Sequence, residues 1–261
     1  MPAKRFGHGY TLLELAIVLA VIGVLLVIVM NFRKSNPDRL TENAADFQEQ
    51  IIKSIYSFAE RNFRLPCADT NGDGYEGVGS PGSCTAADVN YLVGGVPYKT
   101  LGLTIPSVPG NRFIYGVYRK TNTVAVDDAD LAMLKERTGD AAGDSGYLRL
   151  NDFKKALRNA GAALSVATDT TRINVTGDGG SVTGASNCSA NHVVNVAFFV
   201  VNGGARDADA NASLFDGANA ALSFPGGGSL CVSGPHAPAT AQYDDTVRAI
   251  GFSEILGYLS H

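Results

Sequence analysis

The sequence lacks the short motifs that mark common catalytic sites. It contains no GxSxG, no HExxH and no GxxxxGK[ST], and the glycine run at 226–229 has no lysine to contact a phosphate. It also has no CxxC pair, which argues against a zinc ribbon and against a thioredoxin-like redox site. We therefore expect a protein that is not an enzyme and that requires no cofactor for a reaction.

Charged residues are scarce, at 18% of the chain, whereas glycine occurs 30 times. The formal net charge is −4 and the sequence pI is about 5.5, so the composition shows no sign of the basic face that nucleic-acid binding requires. Such a composition is typical of a loop-rich, extracytoplasmic domain rather than of a helical bundle. The chain is long enough for one sizeable domain with its own core.

An apolar segment near the N-terminus is long enough to span a membrane. Residues 10–32 carry a single charge, Glu14, and about 20 apolar residues of helix cross a hydrocarbon core. No small-residue cleavage site follows Met30, as it would after a secretory signal peptide, so the segment is predicted to remain as a single-pass anchor. Lys4 and Arg5 precede it, which favours an N-terminus inside the cell. The carboxylate in this segment is costly and needs a function.

After the basic leader, the residues Gly9-Tyr10-Thr11-Leu12-Leu13-Glu14 resemble the processing signal of type IV prepilins and type II secretion pseudopilins. The resemblance implies that prepilin peptidase cuts between Gly9 and Tyr10 and methylates the new amine of Tyr10. It also implies that Glu14 pairs with the N-terminal amine of a neighbouring subunit, which would offset the desolvation of both charges. The implied partners are prepilin peptidase, other pilin subunits and an inner-membrane assembly platform.

The same resemblance implies the type IV pilin fold. This is an α+β fold in which a long N-terminal helix, transmembrane in its first half, packs on an antiparallel sheet domain with long disulfide-bonded loops. On this plan residues 1–9 are a cleaved leader, 10–32 the transmembrane and assembly helix, 33–64 its amphipathic continuation, and 65–261 an extracytoplasmic globular domain. The predicted location is the bacterial inner membrane before assembly, and a periplasmic or extracellular filament afterwards.

The type of subunit is predicted less directly. Major pilins often have a proline inside the anchor, whereas the first proline after the leader here is Pro37. This absence and the size of the domain favour a minor pilin or pseudopilin. Short segments at 64–74, 98–103, 243–247 and 252–255 also resemble large pilin-like proteins. The alternatives are a major pilin and a pilus-anchored adhesive subunit that binds a ligand through the loop at 203–238. The residues do not distinguish a motility pilus, a secretion pseudopilus and a DNA-uptake pilus.

Hydrophobic periodicity predicts the elements of the outer domain. Apolar residues spaced by three and four positions predict a helix over 40–58 that ends before Pro66. The remaining predictions are strands at 111–119, 123–126, 193–201 and 246–252, helices at 129–137 and 152–163 (the latter capped by Asn151), a short C-terminal helix, and loops at 67–96 and 203–238.

The four cysteines are Cys67, Cys84, Cys188 and Cys231. An even number in an exported domain predicts two disulfides, with three possible connectivities. Proximity in sequence favours Cys67–Cys84 and Cys188–Cys231, each closing a glycine-rich loop. We expect both bridges to be structural.

One short segment has the beginning of a calcium loop. Asp69, Asn71 and Asp73 place oxygen ligands at alternate positions before a glycine. A complete EF-hand would have Glu where Ser80 stands, so calcium would need other ligands. The alternative is a turn cluster stabilised by side-chain-to-backbone hydrogen bonds.

Two further acidic patterns are weaker. Asp207, Asp209 and Asn211 repeat the alternation without a following glycine. The pairs Asp127-Asp128 and Asp244-Asp245 are more typical of turns or helix caps than of a catalytic pair of carboxylates.

Overall fold

The structure is a computed structural model, and eleven segments of it are described. They are residues 12–79, 82–85, 92–107, 112–120, 129–139, 146–162, 172–176, 193–210, 212–225, 230–233 and 242–260. The chain divides into two compact units, Met1–Asn43 and Ala44–His261. Each unit is described by itself.

The first element is a long helix, α1 (Leu12–Asn62). It ends where Phe63 adopts a left-handed backbone with a φ of 54°, and Pro66 follows shortly after. The residue before a proline is pushed out of helical geometry, which agrees with the predicted end. Within the described residues, no helix combines the length and the hydropathy that crossing a membrane requires.

The main sheet has four antiparallel strands. Their bounds are β3 (Val93–Gly95), β4 (Ile114–Val117), β9 (Phe198–Asn202) and β11 (Thr246–Ile250), and they lie side by side in the order β11, β9, β4, β3. Every residue of β4 and β9 is buried, so the centre of this sheet has no solvent-exposed face. The predicted mixture of helix and antiparallel sheet is thereby confirmed.

The second half of α1 contributes to the core of this sheet. Ile51, Ile55 and Ala59 recur on one face of the helix and are fully buried. Gln48 is also buried, and its side-chain amide donates to the backbone carbonyls of Val200 (2.9 Å) and Thr246 (3.2 Å). This amide therefore fixes the helix to two neighbouring strands, β9 and β11.

Smaller elements complete the domain. The hairpins are β1 (Val78–Gly79) with β2 (Gly82–Ser83), and β5 (Arg119–Lys120) with β6 (Ala129–Asp130). A three-stranded sheet contains β7 (Asn174–Thr176), β8 (Val193–Asn195) and β10 (Cys231–Ser233). The remaining helices are α2 (Gly146–Gly161), α3 (Phe252–Tyr258) and a 3-10 turn at Gly217–Asn219.

Some predicted elements differ from the structure. The predicted helix at 129–137 is wrong, because Ala129–Asp130 forms β6 and Leu131 donates to the carbonyl of Tyr118 at 3.1 Å. Hairpin pairing of β6 with β5 overrides the local helical pattern there. The helix predicted from 152 begins earlier, at Gly146, so Asn151 lies inside α2 and does not cap it.

The predicted strand at 193–201 is divided into β8 and β9, which belong to different sheets. The predicted loop at 203–238 contains β10 and the 3-10 turn. The predicted strand at 123–126 lies outside the described residues.

Candidate functional site

The residues of the predicted processing signal lie at the edge of the described chain. Gly9 and Tyr10 are outside it, whereas Glu14 lies in the first turn of α1. Further along this helix, five large apolar side chains are 47–62% exposed; they are Ile17, Val18, Leu19, Val21 and Ile22. A contiguous apolar surface of this kind marks a site of contact with a partner or a membrane.

An ion pair connects the end of α1 to the loop that follows. Both terminal nitrogens of Arg64 donate to the Glu76 carboxylate at 2.7 Å, in a two-pronged contact. Glu76 also accepts from the backbone amide of Cys67 at 3.0 Å. The guanidinium lies 5.0 Å from the centroid of the Phe58 ring. These contacts hold the residues after the helix in one position.

A disulfide joins Cys67 and Cys84, whose Cα atoms lie 5.6 Å apart. Cys231 is disulfide-bonded as well. Cys188 lies outside the described residues, so the pairing Cys188–Cys231 stays a prediction. Glu76 lies near the sulfurs of Cys67 and Cys84, but bonded sulfurs have no thiolate to offer a metal ion.

A buried ion pair lies next to this disulfide. The side chain of Arg119 is fully buried, and its guanidinium donates to both carboxylate oxygens of Asp130 at 3.1 and 3.0 Å. The same guanidinium donates to Cys67 Sγ at 3.2 Å and to the carbonyl of Thr85 at 3.0 Å. Arg119 therefore joins the β5–β6 hairpin to the disulfide-bonded loop.

The predicted calcium loop has its oxygens bound to its own backbone. Asp69 is 1% exposed, and its carboxylate accepts from the amides of Asn71, Gly72 and Gly74 at 3.2, 2.7 and 2.8 Å. The carboxylate of Asp73 accepts from the Asn71 side chain at 3.3 Å, and Asn71 Oδ1 accepts from the Asp73 amide at 3.1 Å. This geometry matches the turn-cluster alternative, and calcium binding by Asp69, Asn71 and Asp73 stays a prediction.

Five aspartates from two separate segments meet in the structure. We call Asp207, Asp209, Asp216, Asp244 and Asp245 the acidic cluster. Asp207, Asp209 and Asp216 each offer an oxygen, and these oxygens all lie within 4.8 Å of one another. The same holds for one oxygen each of Asp216, Asp244 and Asp245, which also lie within 4.8 Å of one another. The two groups share Asp216, which is fully buried.

Strand pairing explains why the two segments meet. Thr246 at the start of β11 pairs with Asn202 at the end of β9, so the residues before β11 lie beside those after β9. Asp216 then connects the segments, because its carboxylate accepts from the backbone amides of Ala208 and Asp244, both at 2.9 Å.

Burial raises the pKa of two carboxyl groups in the acidic cluster, those of Asp244 and Asp245. Burial raises the pKa of the Asp245 carboxyl to about 8, and repulsion from Asp216 and Asp244 adds to the increase. Burial also raises the pKa of Asp244, and a hydrogen bond with the carboxyl of Asp216 adds to that effect. The sequence prediction treated Asp207, Asp209 and the pair Asp244-Asp245 separately and did not single out Asp216. The two acidic patterns were visible in the sequence, but their proximity was not.

Comparison with known protein families gives one match. Residues 5–30 match the family model described as the prokaryotic N-terminal methylation motif, which is the prepilin signal of type IV pilins and pseudopilins. The resemblance of Gly9–Glu14 to that signal is thereby confirmed. No curated protein and no solved structure matches the chain.

Proposed function

We propose that this chain is a structural subunit of a type IV pilus or pseudopilus filament, and not an enzyme. The observation that carries the proposal is the methylation motif at residues 5–30. A helix that begins within this motif and an α+β domain after it support the same conclusion. The proposed location is the bacterial inner membrane before assembly, and a periplasmic or extracellular filament afterwards.

Processing would take place between Gly9 and Tyr10. A cut there removes Lys4 and Arg5 with the leader and keeps the apolar segment on the chain. Prepilin peptidase would then methylate the amine of Tyr10. The glycine before the cut leaves room around the scissile carbonyl, because it has no side chain.

Assembly would use the apolar segment and Glu14. The exposed side chains from Ile17 to Ile22 would be covered first by lipid and then by neighbouring subunits. In that apolar surrounding, Glu14 would accept the methylated amine of a neighbouring Tyr10. A buried charge without its partner costs about 3–5 kcal/mol, so the pair would favour subunits in the correct axial position.

Within this class we propose a minor pilin or pseudopilin. The support is the size of the unit at Ala44–His261 and the absence of a proline in residues 10–36. A count of this subunit relative to the most abundant pilin in sheared filaments separates a minor subunit from a major one.

The assembly step can be tested in cells that carry the matching secretion or pilus machinery. Glu14→Ala should be processed normally, but its incorporation into sheared filaments should fall more than about a hundredfold, since about 3 kcal/mol corresponds to that ratio. Leu13→Ala is the matched control, because it removes apolar contact next to Glu14 without removing a charge. Normal incorporation of Glu14→Ala would refute the proposed role of this carboxylate.

A further inference from the structure

One carboxylate oxygen of the acidic cluster accepts no hydrogen bond from the part of the chain that the structure describes. Asp245 is only 6% exposed. Its Oδ2 accepts from the amide of Asp216 at 3.0 Å and from the side chain of Asn219 at 2.8 Å. Its Oδ1 is buried and accepts no hydrogen bond from the described residues. A buried polar atom without a partner is costly, and more so when it is charged.

The oxygens around Asp245 are arranged closely enough for one ion. Asp216, Asp244 and Asp245 offer oxygens within 4.8 Å of one another. Calcium binds oxygen at about 2.3–2.6 Å, so two ligands on opposite sides of a calcium ion are separated by about 4.6–5.2 Å. Asp244 Oδ1 is a second buried oxygen without a hydrogen-bond partner among the described residues. Two oxygens in a site of the right size therefore accept no hydrogen bond from any described residue.

Among the described residues, one exposed arginine approaches this site. Arg206 approaches Asp244 with its Nε at 3.6 Å from Oδ2, and its side chain is 61% exposed. An exposed pair at that distance is screened by water and contributes little. A proton or a bound cation would relieve the repulsion among three carboxylates so close together.

The chemistry of the ligands selects the kind of cation. The oxygens come from carboxylates, which suit the hard ions calcium and magnesium. Magnesium requires near-ideal octahedral geometry, whereas calcium accepts irregular sets of six to eight oxygens. Asp207 and Asp209 lie on the more exposed side and offer further oxygens to Asp216's other group.

We propose that the acidic cluster binds one calcium ion, with Asp216, Asp244 and Asp245 as its ligands. The ion would join the segment after β9 to the segment before β11, and so would fix the long loop at 203–216 to the main sheet. This site is distinct from the predicted loop at Asp69, whose carboxylate is held by backbone amides.

The test uses the purified full-length chain in detergent micelles. The melting temperature is measured in EDTA, in magnesium and in calcium. If the dissociation constant lies at the 10⁻⁴–10⁻³ M typical of extracellular calcium sites, calcium at ten times that value shifts the folding equilibrium about elevenfold. The melting temperature should then rise by about 3–6 °C, and magnesium should have a smaller effect.

Three variants identify the site. Asp245→Asn and Asp216→Asn should abolish the calcium-dependent rise, whereas Asp73→Asn should retain it. Asp245→Asn should also melt at a higher temperature than the unchanged chain in EDTA, because it removes a repelling charge. If Asp216→Asn fails to fold, Asp245→Asn decides the question alone. A rise that persists in Asp245→Asn, or that disappears in Asp73→Asn, would overturn the proposal, as would the absence of any rise.

Terbium gives a second readout that depends on position. Tyr243 lies beside the site, since Asn219 Nδ2 donates to Tyr243 Oη at 3.0 Å and to Asp245 at 2.8 Å. The chain has no tryptophan, so a tyrosine must sensitise any bound terbium. Tyr243→Phe should lose most of the terbium emission and keep the calcium-dependent rise. Tyr75→Phe, next to the Asp69 loop, is the matched control. Emission that depends on Tyr75 and not on Tyr243 would place the ion elsewhere and overturn the proposal.

Discussion

The substitution Asp130→Ala should strongly destabilise the domain, because it leaves the charge of Arg119 buried without its partner. Both side chains are almost fully buried, at 0% and 3% exposure. The substitution removes two charge-assisted hydrogen bonds to Arg119, and the amide of Ala132 loses its acceptor, Asp130 Oδ1 at 3.0 Å. Breaking a buried pair in this way costs about 3–5 kcal/mol.

This loss is large enough to measure by thermal unfolding. For a domain of 150–250 residues, 1 kcal/mol shifts the melting temperature by about 2–4 °C, so Asp130→Ala should lower it by about 6–20 °C. The assay is the circular dichroism of the full chain in detergent, under conditions that keep the disulfides oxidised. Arg119→Met combined with Asp130→Leu should recover most of the loss, because it removes both buried charges together.

The exposed pair of Arg248 and Glu49 is the control. Arg248 Nη2 lies 3.6 Å from Glu49 Oε2, and the two side chains are 51% and 46% exposed. Glu49→Ala should therefore lower the unfolding free energy by less than about 1 kcal/mol. If Asp130→Ala shifts the melting temperature no more than Glu49→Ala does, the account of the buried pair is wrong. A double variant that is no more stable than Asp130→Ala would refute it as well.

Three further substitutions test the contacts around the domain by the same assay. Glu76→Gln should lower the unfolding free energy by about 1–3 kcal/mol, because a neutral amide at this position cannot hold Arg64 in a charge-assisted pair. An unchanged melting temperature would contradict the stabilising role of this ion pair. Asp69→Ala should cost about 2–4 kcal/mol, since three backbone amides lose their acceptor, and a loss below about 1 kcal/mol would show that water replaces the carboxylate. Gly116→Ala should cost at least about 1–3 kcal/mol, because the added methyl group would overlap the ring of Phe199, and a neutral result would mean that the ring moves at no cost.

Sequence patterns predicted the elements whose signal is local. The apolar spacing through Ile51 and Ile55 predicted the second half of α1. The strand predicted at 246–252 contains β11, which ends at Ile250 because α3 begins at Phe252. The segment at 129–137 shows the limit of this reasoning. Its helical pattern is overridden by pairing with β5 and by the buried contact of Asp130 with Arg119. Both partners lie farther away in sequence than the three or four residues that separate neighbours on a helix face.

The acidic cluster could not have been predicted as one site. Asp207 and Asp245 are far apart in sequence, and the pairing of β11 with β9 brings their segments together. That register follows from the packing of the whole sheet rather than from any local pattern. By contrast, the N-terminal signal is a contiguous motif, so the sequence alone was sufficient to recognise it.

The mass of the mature chain tests the central claim most directly. The chain is produced with and without prepilin peptidase, and its intact mass and N-terminal peptide are measured. We expect a product that has lost residues 1–9 and begins at N-methylated Tyr10, and we expect Gly9→Val to block its formation while Gly7→Val, the matched control, does not. A chain that keeps its leader in the presence of the peptidase, or that is cut at another position, would contradict its assignment as a processed filament subunit.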